Sequence, residues 1–299
     1  MPFSSFYDQI ESNKRKTYLL FFVFFLVLVS LGFFIGVYLG SVEFGIEITF
    51  IFGIFYSLLV YFQGASMLLS LTGAQPATDR KYVFYVDTVE GLAIAAGIPA
   101  PKAYVIQDPA PNAFATGRDP KNSYVAVTTG LLDKMSRQEL EGVVAHEISH
   151  IQNYDIRVSL YAVIMVGLIG IISNIFLRSF LYSGRGSNNR KGEGGGGGFL
   201  LIIGIIFMIL APIIAQLIRL AISRQREFLA DANGARLTRY PEGLASALEK
   251  IGKDPTQLQR ADDTTAQLYI ASPLKGKMLS GLLSTHPPIE ERVKRLRSM

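Results

Sequence analysis

Long uncharged apolar runs are the feature that most restricts what this chain can fold into. No charged residue occurs between Thr17 and Val42, a stretch dominated by Phe, Leu and Val. Because a helix of about 20 apolar residues crosses the hydrocarbon core of a bilayer, this run predicts a membrane span. It exceeds the apolar region of a cleaved signal peptide, about 7–15 residues, so we expect it to be retained. Further uncharged runs at 48–75, 158–177 and 199–218 predict three more spans. For the last two of these runs, a buried core helix is the alternative.

The distribution of charge predicts the orientation of these spans. Three basic residues at 14–16 precede the first span, whereas the connection to the second carries Glu43 and Glu47 and no basic residue. By the positive-inside rule, the N-terminus lies in the cytoplasm and the chain returns there after the second span. Residues 76–157 are therefore expected to be cytoplasmic, as are residues 219–299 after the fourth span.

A segment rich in Gly, Ser and Asn, Ser183–Gly198, separates the third and fourth predicted spans. Its composition is typical of a flexible linker. If the third and fourth predicted spans both cross the bilayer, this linker lies outside the cell. It carries Arg185, Arg190 and Lys191, however, and the positive-inside rule disfavours basic residues there. A hairpin that only dips into the bilayer is the alternative.

The overall charge and the absence of cysteine exclude several classes of function. The chain has a net charge of +5 and no Cys, so neither a disulfide nor a thiolate nucleophile or metal ligand is available. In a chain with membrane spans, excess basic residues are expected to face anionic lipid headgroups. Since no basic patch with interleaved aromatic residues occurs, we predict the lipid bilayer as a partner and no nucleic acid.

The segment that indicates chemistry is His146-Glu147-Ile148-Ser149-His150. A capping box at residues 136–139 predicts the start of a helix that runs to about Asn153. On a helix, two histidines four residues apart lie on one face, which suits a tetrahedral Zn²⁺ ion and leaves further positions open. Glu147 lies beside the first ligand, where it can act as the catalytic base. Incidental histidines on a solvated face are the alternative, which the apolar neighbours of this helix disfavour.

Two imidazoles leave a metal ion short of a third protein ligand. The remaining candidates are His286, the third histidine of the chain, and two carboxylates at i and i+4, Glu227 and Asp231. Glu227 could bind the ion while Asp231 orients a ligand imidazole. Alternatively, both carboxylates are on the surface and pair with Arg224 or Arg226. The spacing alone leaves these alternatives open.

Several motifs resemble those of the HtpX family of membrane zinc metalloproteases, and the resemblance covers nearly the whole chain. They are the HEISH sequence with residues 153–155, and the segments at 109–117, 128–132, 224–231 and 284–288. The resemblance implies that Glu227 is the third zinc ligand, that the active site is cytoplasmic, and that the substrates are misfolded or damaged membrane proteins, in quality control and stress response. The related CAAX prenyl proteases share the zinc motif but have more spans. The Gly-rich segment departs from the family without touching a motif.

The resemblance also implies two supporting roles. Residues 112–114, which begin with Asn112, resemble the edge strand beside the active-site helix, where an extended substrate can bind by β-augmentation. The alternative is a loop after a Pro-rich turn. His286 directly precedes two prolines and can donate a hydrogen bond to the oxyanion of the reaction intermediate, with a capping or packing histidine as the alternative.

Together, the patterns and the resemblance predict an α+β zincin-like metalloprotease domain, mainly α, with four transmembrane helices. The expected parts are an N-terminal hairpin (1–75), the first half of the protease domain (76–157), a second hairpin (158–218) and the second half (219–299). The chain is expected to be a multi-pass endopeptidase of the cell membrane with one Zn²⁺ ion.

Three other functions are less favoured. An intramembrane metalloprotease would carry its motif inside a span, whereas charged residues surround HEISH, among them Glu141 and Arg157. A transporter or channel would carry charges within its spans, which these runs lack. A catalytically silent scaffold would not need the intact Glu147.

Overall fold

The computed structural model of the chain describes residues 6–165, 168, 224–260, 265–271 and 287–299. The chain divides into two compact units. The apolar unit comprises Thr17–Tyr61 and Tyr161–Leu220, of which the second range is described only in its first residues. The other unit, which we call the sheet unit, comprises Met1–Lys16, Phe62–Leu160 and Ala221–Met299.

Two long helices begin the chain, α1 (Phe6–Leu39) and α2 (Val42–Thr72). Each is long and apolar enough to cross a membrane. Large apolar side chains on both point outward, with Phe22 65% and Phe55 64% exposed, as expected of helices surrounded by lipid. Length and composition therefore support the first two predicted spans. The third and fourth lie outside the described residues, apart from 158–165 and 168, which are helical.

Among its described residues, the sheet unit contains one four-stranded sheet in the order β1–β2–β4–β3. Its strands are β1 (Ala74–Pro76), β2 (Lys102–Ile106), β3 (Ala113–Asp119) and β4 (Asn122–Thr128). β2 and β4 are parallel, and both outer pairs are antiparallel. β3 is an edge strand, which confirms the prediction for residues 113 and 114; Asn112 directly precedes it.

Six α-helices with defined bounds lie wholly within the sheet unit. They are α3 (Val83–Ala96), α4 (Thr129–Lys134), α5 (Arg137–Gln152), α6 (Arg224–Thr238), α7 (Pro241–Lys253) and α8 (Ile289–Leu296). The central helix is α5, which carries HEISH and contacts α3, α6, α7 and the sheet. Its apolar residues Val143, Val144, Ile148 and Ile151 are fully buried, so the predicted buried helix is confirmed.

The predicted capping box at the start of α5 is also confirmed. The Ser136 hydroxyl accepts the backbone N–H of Glu139, and the Glu139 carboxylate accepts the backbone N–H of Ser136 at 2.7 Å. The same carboxylate accepts hydrogen bonds from Ser246 at 2.6 Å and Lys250 at 2.7 Å, both on α7. Glu139 thus caps α5 and connects it to α7 through hydrogen bonds.

Replacing Glu139 by Ala should lower the free energy of unfolding by about 2–3 kcal/mol, because a cap and charge-assisted hydrogen bonds are lost together. Although burial opposes ionisation, the bonds with Lys250 and Ser246 lower the pKa of Glu139 from 4.5 to about 2. Its stabilisation is therefore fully present above pH 4.5 and lost as the pH falls towards 2. Thermal unfolding in detergent at several pH values measures this, with Glu141→Ala as the control on the same helix. A constant difference from wild type down to pH 2 would contradict it.

Candidate metal centre

The two histidines of HEISH lie one turn apart on α5 and face α6. Their Nε2 atoms are 3.1 Å apart, and the two rings are perpendicular. His146 is fully buried, whereas the side chain of His150 is 16% exposed. The close approach of α6 depends on Gly234, where an added Cβ would lie only 3.1 Å from the backbone nitrogen of His146.

Glu227, in the first turn of α6, brings a carboxylate to both imidazoles. Its Oε1 lies 3.5 Å from the Nε2 of His150, and its Oε2 lies 3.7 Å from the Nε2 of His146. Glu227 is 6% exposed and Asp231 is 2% exposed, so the alternative of two surface carboxylates is wrong. The structure thus brings together the three side chains expected to bind the metal.

The separations of the ligand atoms on these three side chains are near those expected around a zinc ion. Ligand atoms about 2.0–2.1 Å from a tetrahedral Zn²⁺ ion lie about 3.3 Å from one another. The two Nε2 atoms are 3.1 Å apart, and the carboxylate approaches them at 3.5 Å through Oε1 and at 3.7 Å through Oε2, which are distances close to that value. One ligand atom from each of the three side chains lies within 4.8 Å of the others. Two imidazole nitrogens and one carboxylate are also a usual ligand set of catalytic zinc, which leaves a fourth position open.

Each imidazole is held from behind by a carboxylate. The Nδ1 atom of His146 lies 3.0 Å from Asp231, and the Nδ1 atom of His150 lies 3.0 Å from Asp155. A ring that donates its Nδ1–H to a carboxylate keeps the Nε2 lone pair for a metal, and its orientation is fixed. Asp231 therefore lies where its proposed supporting role requires, whereas Asp155 was not among the predicted site residues.

An arginine lies behind each of these carboxylates. The guanidinium of Arg292, buried in the core, donates to both oxygens of Asp231 at 2.7 and 2.9 Å. Arg226 donates to Asp155 at 3.1 Å. Although burial opposes ionisation, the arginine and histidine partners lower the pKa of both aspartates, so both stay anionic. Two Arg–Asp–His chains thus converge on the candidate ligands.

Burial also changes the protonation of the histidines. It lowers the pKa of His146 to about 4, so this ring is neutral near pH 7. For His150, burial acts in the same direction, but the hydrogen bond with Asp155 and the charge of Glu227 outweigh it and raise the pKa to about 9. A metal ion that binds His150 near neutral pH must therefore displace a proton.

Glu147 lies on α5 beside β3 and is 2% exposed. Burial raises the pKa of its carboxyl to about 7, and the charge of Glu227 adds to this effect. A hydrogen bond from the backbone N–H of Ala115, on the edge strand, acts in the opposite direction. A pKa near 7 suits a group that must both accept and release a proton.

Of the two remaining candidates, Asn112 is among the described residues and lies outside the candidate metal centre. Asn112 is buried, and its side-chain amide donates to the backbone carbonyl of Ala271 at 3.0 Å, so it holds the segment 265–271 against the start of β3. It is not part of the group formed by the histidines and Glu227. His286 lies outside the described residues.

Comparison with known proteins assigns this chain to a family. Residues 85–299 match peptidase family M48. A protein named Protease HtpX homolog from Dictyoglomus turgidum is 51% identical over 298 residues, which cover 100% of this chain and 96% of the relative. A Protease HtpX homolog from Streptococcus agalactiae serotype III is 45% identical over 98% of this chain and 99% of the relative. A crystal structure of S. mikatae Ste24p aligns with 93% of this chain and 62% of that one, at 19% identity and a TM-score of 0.48.

Proposed function

Because this chain belongs to peptidase family M48 and is a metalloprotease, we propose that it is a membrane-bound zinc endopeptidase whose ion is held by His146, His150 and Glu227. The observation that supports this most strongly is the convergence of the three side chains, which bring one ligand atom each within 4.8 Å of one another, with a carboxylate behind each imidazole. The proposed endopeptidase contains one zinc ion per chain. Metal analysis of the protein purified in detergent tests this, together with casein cleavage that a chelator abolishes and zinc restores.

The residues around this site have different roles in the proposed peptide hydrolysis. A bound zinc ion supplies Lewis-acid polarisation of the scissile carbonyl. Glu147 takes a proton from the attacking water and passes it to the leaving amine, which its pKa of about 7 permits in both directions. Asp231 and Asp155 keep the two imidazoles in one tautomer and orientation. His286 is proposed to donate a hydrogen bond to the oxyanion.

We propose that the edge strand β3 binds the substrate as an added antiparallel strand. Backbone hydrogen bonds of this kind carry little sequence preference, which suits a protease that removes misfolded proteins. The carbonyl of Ala113, at the start of β3, already accepts the N–H of Ile270 at 2.9 Å. Because the N–H of Ala115 bonds the Glu147 carboxylate, the substrate is proposed to pair with β3 beyond the N–H of Ala115, next to Glu147. Asn112 then acts indirectly, by holding the segment that covers the first residue of the strand.

The proposed substrates are misfolded or damaged membrane proteins, and the proposed role is quality control under stress. The support is similarity to proteins named Protease HtpX homolog and the two candidate spans. HEISH lies in the sheet unit, outside both candidate spans. This favours a protease site beside the membrane over an intramembrane protease.

We further propose a multi-pass protein of the cell membrane with a cytoplasmic N-terminus and active site. His146 and His150 precede the third predicted span, and Glu227 follows the fourth. One ion can bind all three only if the two predicted spans cross as a pair or both fail to cross. The basic residues at 14–16 assign the cytoplasmic side.

Single cysteines test this topology in a chain that has none of its own. With a membrane-impermeant thiol reagent on intact cells, Ser41→Cys should be labelled, because the connection between α1 and α2 is predicted to lie outside the cell. Gln257→Cys, at an exposed position of the sheet unit, should be labelled only after the cells are lysed. Labelling of Ser187→Cys on intact cells would favour a full crossing over a dip. Labelling of Gln257→Cys on intact cells would contradict the cytoplasmic site.

A further inference from the structure

The first turns of α1, ahead of the uncharged run that begins at Thr17, contact the loop that follows α5. The side-chain amide of Asn13 donates to the backbone carbonyl of Asn153 at 2.9 Å and to the Asp155 carboxylate at 2.8 Å. The next residue, Lys14, places its ammonium 5.3 Å from the centre of the Tyr154 ring. Asn13 is 2% exposed, so these hydrogen bonds are shielded from water. Residues 140 or more positions apart in the sequence therefore meet directly behind the candidate metal ligands.

This loop needs external support to keep its shape. α5 ends at Gln152, and Tyr154 adopts a left-handed backbone conformation with φ 61°. For a residue other than glycine this conformation is strained, and it persists only where the surroundings impose it. The reversal at Tyr154 is what brings the carboxylate of Asp155 back to His150. Asn13 bonds both sides of the reversal, the carbonyl before it and the carboxylate after it.

The hydrogen bonds of Asp155 show what Asn13 contributes. One carboxylate oxygen faces the Nδ1 atom of His150 at 3.0 Å. The other accepts from both Asn13 and Arg226, at 2.8 and 3.1 Å. Arg226 compensates the negative charge of the Asp155 carboxylate, whereas the neutral amide of Asn13 fixes the orientation of that carboxylate. Without the amide of Asn13, the carboxylate can turn towards Arg226 and away from the ring.

We propose that Asn13 is a positioning residue of the metal centre, acting through Asp155 on His150. The helix that enters the membrane as the first span then also supports the zinc site, and its first turns are part of the protease and not only an anchor. This proposal rests on the zinc site proposed above. It predicts that the metal affinity depends on a side chain that precedes the uncharged run of α1 and does not contact the metal ligands.

The test is a double-mutant cycle in the full-length protein in detergent, with the zinc dissociation constant measured by chelator competition. Asn13→Leu keeps the size of the side chain but removes its donors, and we expect about tenfold weaker zinc binding, at the lower end of the range for partners of metal ligands. In the Asp155→Ala background the same substitution should change zinc binding less than twofold, because residues that act through one another are not additive. The absorption bands of the Co²⁺-substituted protein should shift in Asn13→Leu. Arg15→Gln, an exposed neighbour on the same helix, is the control and should leave both readouts unchanged.

The outcomes separate this proposal from the proposed function. Equal weakening by Asn13→Leu in both backgrounds would mean that Asn13 only stabilises the fold, and this would overturn the positioning role. An unchanged zinc affinity and Co²⁺ spectrum in Asn13→Leu would overturn it as well. In both cases a wild-type protein with one tightly bound zinc ion would leave the proposed protease intact. A wild-type protein that binds no zinc would contradict the protease proposal first, and this one with it.

Discussion

Substituting Ala for Glu147 should reduce casein cleavage by about a thousandfold or more while leaving zinc bound. A positioned general base alone contributes about 10²–10⁴-fold, and here the same carboxylate activates the water and protonates the leaving amine. Glu147 is 2% exposed, and the ligand atoms that converge belong to other residues, so metal binding does not require it. Cleavage rates and zinc content measured on the same preparation give both quantities.

Two controls make the loss of activity specific to Glu147. Glu147→Gln keeps the size of the side chain and should be as inactive as Glu147→Ala, because an amide cannot accept the proton. Glu141→Ala changes a carboxylate on the same helix that lies outside the candidate site, and it should cleave casein at the wild-type rate. A Glu147→Ala protein that cleaves casein nearly as fast as wild type would show that another group is the base.

The parts of the site that sequence could predict are those encoded locally. The spacing of His146 and His150 fixes their common face on any helix, and the capping box fixes where that helix begins. The side of α6 that Glu227 and Asp231 share follows from the same periodicity. The buried position of these carboxylates does not, because it depends on how α6 packs against α5. The surface alternative was for that reason open in the sequence and wrong in the structure.

Apart from Asp231, the supporting residues could not be predicted, in most cases because their partners are distant in the sequence. Arg292 bonds Asp231 across 61 residues, and Arg226 bonds Asp155 across 71. Asp155 follows His150 by five positions but lies beyond the end of α5, so helical periodicity gives no indication of the contact. Asn13 is separated from Asp155 by 142 residues and by two predicted spans. A charged or amide residue gives no sign, in the sequence alone, of which buried partner it satisfies.

For the edge strand β3, the sequence indicated the element but not the contacts of its neighbouring side chain. The resemblance correctly indicated a strand at residues 113 and 114, and the sheet order places it at an edge. The direction of the Asn112 side chain was not predictable, because it bonds Ala271, 159 residues further along the chain. A motif can therefore locate an element without revealing what each of its side chains holds.

Replacing Glu227 by Ala should have the opposite pattern from Glu147→Ala, with zinc and activity lost together. Only two imidazoles would remain, and we expect zinc affinity to fall on the order of a thousandfold, beyond the 10–100-fold typical of residues that merely support a ligand. Glu90→Ala, an exposed carboxylate on α3, is the matched control and should keep one zinc ion per chain. Thermal unfolding with and without a chelator checks that the variant is folded: wild type should lose stability when zinc is removed, whereas Glu227→Ala should not respond. An unchanged zinc content in Glu227→Ala would move the third ligand to His286 or Asp231. The two variants together therefore separate the residue that moves the proton from the residue that holds the metal.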